Sequence, residues 1–111
     1  GTSRARFDYY ARKRLENAHL QNTAPTYGWV KEAVGVTKVL LDKQLDRQIE
    51  TPLLLCQASR DTVVCLPEQN RFVSLLPHAQ LRAFDAKHEI YMSTNDIMRE
   101  YVPTVIEFLR G

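Results

Sequence analysis

Long hydrophobic runs are missing from this sequence, and cysteine is scarce. The longest apolar runs, such as residues 53–56, span only a few positions, whereas a membrane-spanning helix needs about 20. The two cysteines, Cys56 and Cys65, lack the Cys-x-x-Cys spacing of zinc and redox sites, so we expect neither a metal site nor a disulfide framework. Because Cys56 lies within an apolar run, the sequence predicts a buried free thiol in reducing surroundings.

Glycine is also scarce, with only four in the chain, and none of them frames a serine in the Gly-x-Ser-x-Gly pattern. That pattern places a serine nucleophile on a tight turn between a strand and a helix. The sequence therefore contains no turn of this kind.

The charge balance argues against nucleic acid as a partner. With 15 basic and 13 acidic residues, the formal net charge of +2 is too small for a strongly basic surface. Basic residues do cluster in the first fourteen positions, where a single acid, Asp8, accompanies Arg4, Arg6, Arg12, Lys13 and Arg14. This end could face anionic lipid, but a solvated helix face is the more common interpretation of so short a run.

Two helices are predicted in the first half of the chain. Residues 4 to about 20 carry apolar side chains at spacings of three and four, which is typical of an amphipathic helix; they are Phe7, Tyr10, Ala11, Leu15 and Ala18. Residues 21–25 break this pattern and form a loop. A second helix is predicted from near Thr26 to about Leu45, although Gly35 lowers its helix propensity. Its apolar side consists of Trp29, Ala33, Val36, Leu40 and Leu41.

The second half alternates strands and helices. Pro52 ends the preceding helix, and the continuous apolar run at residues 53–56 favours a strand covered on both faces, as in a parallel sheet. A helix is predicted from Pro67, a favourable first-turn residue, to about Leu76, and residues 80–84 form a second strand.

A last helix is predicted after Ser93, Thr94 and Asn95, which can cap it. Its core side would be Ile97, Tyr101, Val105 and Leu109, and Pro103 should bend or split it. The order helix, helix, strand, helix, strand, helix predicts an α/β fold with two parallel strands.

Two polar residues, Asp61 and His88, follow the two predicted strands and lie 27 positions apart. Because both strands point the same way, both residues should stand at the carboxyl-end edge of the sheet, where α/β enzymes build their active sites. The carboxylate could accept a hydrogen bond from one ring nitrogen and leave the other free to act as a base. Either residue alone is more often a turn or loop residue, and only their joint placement favours a catalytic pair.

The segments around these two residues resemble α/β-hydrolases. PLLLCQASRDTVV at residues 52–64 is similar to the segment that carries the triad acid, and FDAKHEI at residues 84–90 is similar to the one that carries the triad histidine. The resemblance is strongest to bacterial inner-membrane lysophospholipases and monoacylglycerol lipases. PTYGWV at residues 25–30 resembles the cap region of the lysophospholipases.

The resemblance implies a C-terminal fragment of an α/β-hydrolase, with cap-type and connecting helices in residues 1–50 and core elements in residues 51–111. It implies a serine hydrolase that cleaves acyl esters of lysophospholipids or monoglycerides without metal or organic cofactor. Asp61 would be the triad acid and His88 the general base. Since the triad runs serine, acid, histidine along the chain in this fold, the nucleophile would lie upstream of Gly1, and the chain alone would be inactive. The expected location is cytoplasmic, with peripheral contact to the inner membrane.

The same resemblance makes Tyr27 and Trp29 candidates for lining an acyl pocket, although large aromatic residues on a helix are more often part of a core. Glu89 matches the lysophospholipase pattern beside the histidine, without a readable role. Cys65 is a poor substitute nucleophile because it lies in an apolar stretch. Turn and cap duty accounts for Ser59 and Ser93.

Two further expectations concern partners. An apolar strand with an unpaired edge is adhesive, so we expect homo-oligomers formed through exposed strand edges, larger than the 12.8 kDa chain. The alternative from another functional class is a non-catalytic helical module that binds a membrane surface or a partner protein. Within the hydrolase fold, relatives with an acidic nucleophile perform dehalogenation or epoxide opening, and only the residue at the missing turn would distinguish them.

Overall fold

The computed structural model describes residues 1–22, 24–44 and 48–111. Within these residues the architecture is α/β, with four α-helices and one parallel pair of strands. In chain order the elements are α1 (Arg4–Glu16), a 3₁₀ turn (Ala18–Leu20), α2 (Tyr27–Asp42), β1 (Leu53–Ala58), α3 (Leu66–Leu75), β2 (Ala79–Phe84), a second 3₁₀ turn (Ile90–Met92) and α4 (Asn95–Arg110). The predicted order of elements is confirmed, whereas the division into two parts near residue 50 stays a prediction.

The sheet consists of β1 and β2, paired in parallel from Leu53 opposite Ala79 to Ala58 opposite Phe84. The predicted strands lie inside the observed ones, which extend further at one end. The ladder continues beyond the strands, because the backbone N–H of Ser59 donates to the Phe84 carbonyl at 2.9 Å. The two strands therefore end together, and the loops that follow them begin at the same edge of the sheet.

Helix α3 connects the strands and is fastened to β1 by a buried amide. Gln57, 7% exposed, donates through Nε2 to Gln69 Oε1 at 2.9 Å and to Asn70 Oδ1 at 3.0 Å. Pro67 occupies the first turn of α3, where its missing N–H costs no helical hydrogen bond. This strand–helix–strand unit fixes the parallel direction of the sheet.

The core lies beneath the carboxyl ends of the strands. Its central cluster is Ala58, Phe84, Ala86 and Ile90. Tyr101 of α4 packs edge-on against Phe84 with ring centroids 5.5 Å apart. Because Ala58 and Phe84 are the last residues of β1 and β2, this packing holds the two loops that follow them.

Helix α4 is continuous through Pro103, so of the two predicted effects, a bend or a split, the split is wrong and the bend stays a prediction. Pro103 is exposed, and water can satisfy the carbonyl that loses its helical partner there. Ile97, Tyr101 and Val105 are half-buried as expected for the core side. Leu109 is 75% exposed, so the prediction that it joins the core is wrong for the described structure.

The helices of the first half bury almost none of their apolar side chains. Helix α1 begins at Arg4 as predicted, but it ends at Glu16 and contains no buried residue. Asn17 stops it, because its side chain accepts from the His19 N–H at 3.1 Å and caps a 3₁₀ turn instead. Every side chain described in α2 is exposed, and the predicted helix end at Leu45 lies outside the described residues.

Because of this exposure, the molecule has a larger accessible surface and a larger radius of gyration than a compact chain of similar length. Its accessible surface is 8807 Å², against about 6,300 Å² for a compact monomer of this mass. The radius of gyration is 16.6 Å, against about 13 Å for a compact domain of roughly this length. The predicted cover on both faces of β1 is also incomplete, since Leu53 to Cys56 are only half-buried. Among the residues described, none of the helices has the length and apolar character needed to cross a bilayer.

Candidate active site

The loops after β1 and β2 bring Asp61 and His88 into contact, as their positions in the sequence predict. Asp61 lies three residues beyond the end of β1, and His88 lies four residues beyond the end of β2. The distance between His88 Nδ1 and Asp61 Oδ2 is 2.8 Å. The contact is a structural fact, whereas the catalytic roles of the two residues stay predictions.

The Asp61 carboxylate is held rigidly by its own loop. Its side chain is only 4% exposed. Oδ1 accepts the backbone N–H groups of Val63 at 2.8 Å and Val64 at 3.3 Å, while the Asp61 N–H donates to the Ala58 carbonyl at 3.1 Å. Aspartate favours turns because it makes local bonds of this kind. One oxygen therefore fixes the carboxylate, and the other is left for the histidine.

These contacts also keep Asp61 ionised. Burial alone would raise the pKa of the carboxyl. The hydrogen bonds from the Val63 N–H, from His88 and from the Val64 N–H, with the charge attraction of His88, outweigh burial and lower that pKa below its ordinary value of 3.8. At neutral pH the group is a carboxylate that can only accept hydrogen bonds.

The orientation of the His88 ring follows from this charge state. Since Asp61 only accepts, His88 Nδ1 must carry the proton of the bond, and in the neutral ring Nε2 then has a free lone pair. The side chain is 46% exposed, and Nε2 makes no hydrogen bond to any described residue. The arrangement presents an oriented base to the outside of this edge, which is the geometry that a general base requires.

The segment after His88 is anchored to α1, a contact that the sequence did not predict. The backbone N–H groups of Thr2 and Ser3 donate to the Met92 carbonyl at 3.0 and 2.9 Å. The Arg6 guanidinium donates to the Ser93 carbonyl at 2.7 Å and to Asn95 Oδ1 at 2.9 Å. Most of the acceptors are main-chain carbonyls, so no side-chain pattern indicates this contact in advance.

Glu89, beside His88, interacts with the same anchored segment. The Tyr91 hydroxyl donates to Glu89 Oε1 at 3.3 Å, and Tyr10 of α1 packs edge-on against the Tyr91 ring at a centroid distance of 6.3 Å. Burial, followed by the charge and hydrogen bond of Glu89, raises the pKa of Tyr91. Glu89 is thus engaged by an aromatic neighbour, not by the histidine next to it.

The predicted substrate-binding residues lie on α2 and are exposed. Tyr27 is 97% exposed and Trp29 is 64% exposed, so neither belongs to the core of the described structure. Trp29 lines a shallow cavity with Asn22, Ala24, Pro25 and Thr26, to which neither Asp61 nor His88 contributes. A role in substrate binding stays a prediction for both aromatic residues.

Among the described residues, neither Cys65 nor Ser93 forms a hydrogen bond with His88. Cys65 is an exposed free thiol and Cys56 a half-buried one, and burial raises the pKa of the Cys56 thiol. Ser93 is fully buried, and its hydroxyl has no hydrogen-bond partner, so no substrate could reach it. Thr94, not Ser93, is the cap residue of α4, and its side chain makes no capping bond.

Comparison with known proteins gives one informative similarity. The chain is 25% identical over 107 residues to a probable lysophospholipase L2 of Haemophilus influenzae, a match that covers 96% of this chain and 34% of the relative. The chain therefore spans about a third of the length of that relative. No protein-family model and no solved structure matches the chain. The similarity supports a distant lysophospholipase-like relationship.

Proposed function

We propose that this chain is the acid- and histidine-bearing C-terminal part of a serine hydrolase that cleaves acyl esters of lysophospholipids or monoglycerides. The observation that carries the proposal is the 2.8 Å contact between His88 Nδ1 and Asp61 Oδ2, with the opposite ring nitrogen left free. The distant relationship to a probable lysophospholipase supports the substrate class. The α/β architecture, with a parallel strand pair ending at the site, is compatible with a piece of a hydrolase fold.

In this mechanism His88 Nε2 removes the proton from a serine hydroxyl as the serine oxygen attacks the ester carbonyl. The buried Asp61 carboxylate stabilises the imidazolium that forms. When the tetrahedral intermediate collapses, His88 returns that proton to the leaving glyceryl oxygen. In the second half-reaction His88 deprotonates a water molecule, which attacks the acyl-enzyme and releases the fatty acid, and the serine recovers its proton.

The proposal assigns the serine and the oxyanion hole to a segment outside these 111 residues. No Gly-x-Ser-x-Gly pattern occurs in the chain, Ser93 is fully buried, and Cys65 forms no hydrogen bond with His88 among the described residues. The purified 111-residue chain should therefore show no ester hydrolysis. Turnover by this chain alone would contradict the proposal that it is only a part of the enzyme.

The activity test uses the longest reading frame that contains this sequence, or this chain joined to the part of the Haemophilus influenzae relative that the match does not cover. We expect fatty acid release from lysophosphatidylcholine or a monoglyceride, and labelling by a serine-reactive fluorophosphonate at a residue upstream of Gly1. His88→Ala should lower kcat by about 10⁴-fold or more.

The matched control is His78→Ala, which removes an exposed histidine next to the amino end of β2 and should leave turnover unchanged. Unchanged turnover in His88→Ala would show that His88 is not the base. An active protein that the fluorophosphonate does not label would favour the relatives with an acidic nucleophile.

The substrate and location expectations belong to the same proposal. Tyr27 and Trp29 would contact the acyl chain, and the protein would act in the cytoplasm with peripheral contact to the inner membrane. Two basic residues of α1 are already paired with acids, Arg4 with Asp8 at 2.9 Å and Lys13 with Glu16 at 3.6 Å, which reduces the positive charge available for the alternative of a membrane-binding module. Sedimentation with anionic vesicles separates the two functions. Salt-sensitive binding that is lost when Arg12, Lys13 and Arg14 are replaced would favour the module.

A further inference from the structure

The two loops of the site are joined a second time, by the side chain of Arg60. Its Nε lies 2.7 Å from Asp85 Oδ1, and its Nη2 donates to the Asp85 main-chain carbonyl at 2.9 Å. The Arg60 backbone N–H donates to the Ala86 carbonyl at 3.0 Å. One residue of the first loop therefore makes three contacts with two consecutive residues of the second.

The contacts of Arg60 lie directly beside the Asp61–His88 pair. Arg60 directly precedes Asp61, and Asp85 lies three residues before His88. The Arg60 guanidinium binds both the carboxylate and the main-chain oxygen of Asp85. It therefore fixes the backbone of the second loop as well as neutralising the Asp85 charge. The loop that carries the base is thus held against the loop that carries the acid immediately beside the pair.

The exposure of the Arg60–Asp85 ion pair argues against a large contribution to folding stability. The Arg60 and Asp85 side chains are 51% and 74% exposed, and exposed ion pairs contribute little to folding stability. The same residues can still decide whether His88 Nδ1 meets Asp61 Oδ2, because small displacements of a catalytic group are costly. Arg60 should therefore influence the geometry of the pair more than the stability of the fold.

We propose that Arg60 is a positioning residue, which acts with Asp85 to hold the two loops in the register that lets Asp61 bind His88. We call these two residues the Arg60–Asp85 clamp. The inference rests on the proposed function, because a catalytic role of Asp61 and His88 is what makes their relative position important. It does not require the missing nucleophile, because the contact it controls lies wholly within this chain.

The test follows the proton on His88 Nδ1 by NMR in the isotopically labelled 111-residue chain. A hydrogen bond to a buried carboxylate moves this proton far downfield and slows its exchange with water. Asp61→Asn identifies the signal by removing it. In Arg60→Ala we expect a several-fold faster exchange of the same proton, or loss of its signal, with the circular dichroism of the fold retained. Arg60→Lys, which keeps the charge but cannot make both contacts, should give an intermediate exchange rate.

Arg71→Ala is the matched control, because Arg71 also forms an exposed ion pair, with Glu68 at 3.8 Å, away from the two loops. In Arg71→Ala the His88 Nδ1 proton should exchange at the wild-type rate. An unchanged rate in Arg60→Ala would overturn the clamp while leaving the Asp61–His88 pair in place. A signal that survives Asp61→Asn would instead contradict the pair on which the proposed function rests. If Arg60→Ala fails to fold, Arg60→Met decides, because it keeps the length of the side chain but has no donor for either Asp85 contact, and a wild-type rate in that variant overturns the clamp.

Discussion

Residues 4–42 and residues 53–110 both form regular secondary structure, but the two regions bury their apolar side chains very differently. The six buried apolar residues identified in the described structure, Ala58, Leu76, Phe84, Ala86, Ile90 and Met92, all belong to the second region. In α2, by contrast, Trp29, Val34 and Val36 are each more than half exposed. Helix formation alone therefore does not provide a core. A second layer must cover the apolar face, and the second region has one because α4 packs on the strand ends.

The difference also separates the two halves of the candidate chemistry. Asp61 and His88 stand on the region with a core, so their contact has rigid support. Tyr27 and Trp29 stand on the region without one, and the shallow cavity that Trp29 lines includes neither Asp61 nor His88. Under the proposed function, this contrast is what we expect of a polypeptide that contributes only part of a site.

Removing the centre of the core tests the comparison most strongly. Phe84→Ala should lower the free energy of unfolding by about 3–5 kcal/mol, because it deletes a buried ring at the end of β2. Leu15→Ala, at a position 79% exposed in α1, should change the free energy by less than about 0.5 kcal/mol. Urea unfolding of both variants measures the contrast. Equal losses would show that the first region has a core of its own in solution.

Self-association tests whether the exposed region is covered in solution. The apolar surface of α2 and the edge of β1 that pairs with no described strand favour pairing with a second copy. We expect analytical ultracentrifugation to give a species at least twice the 12.8 kDa chain mass. Leu54→Lys, which places a charge on β1, should shift the mass toward the monomer. A wild-type monomer at all concentrations would contradict this expectation and favour a self-contained small domain.

Acid titration gives the smallest and most local effect. The pKa of Asp61 is lowered by folding, so the stability this group contributes is present above its ordinary pKa of 3.8 and is lost as the pH falls through the lower folded value. The difference in unfolding free energy between wild type and Asp61→Asn should stay constant from neutrality down to about pH 5 and shrink below it. A difference that does not change with pH would show that the carboxylate is not stabilised by its loop.

The sequence predicted those features that depend on neighbouring residues. The run of Leu53 to Cys56 predicted a strand, and the intervening helix implied a parallel partner. That direction placed Asp61 beside His88. The contact between Arg6 and the Ser93 carbonyl could not be predicted, because main-chain oxygens carry no sequence signal. The exposure of Leu109 was also missed, since periodicity tells which face of a helix is apolar but not whether anything covers that face.

The strand–helix–strand unit has a consequence for engineering. Asp61 and His88 lie only 27 positions apart, and the hydrogen bonds that join them and their two loops directly lie within residues 58–88. Such a unit could be transplanted as a single cassette. Under the proposed function, a split reporter would use one fragment that carries the assembled Asp61–His88 pair and a second that carries the nucleophile, so that a signal would appear only when the two fragments dock.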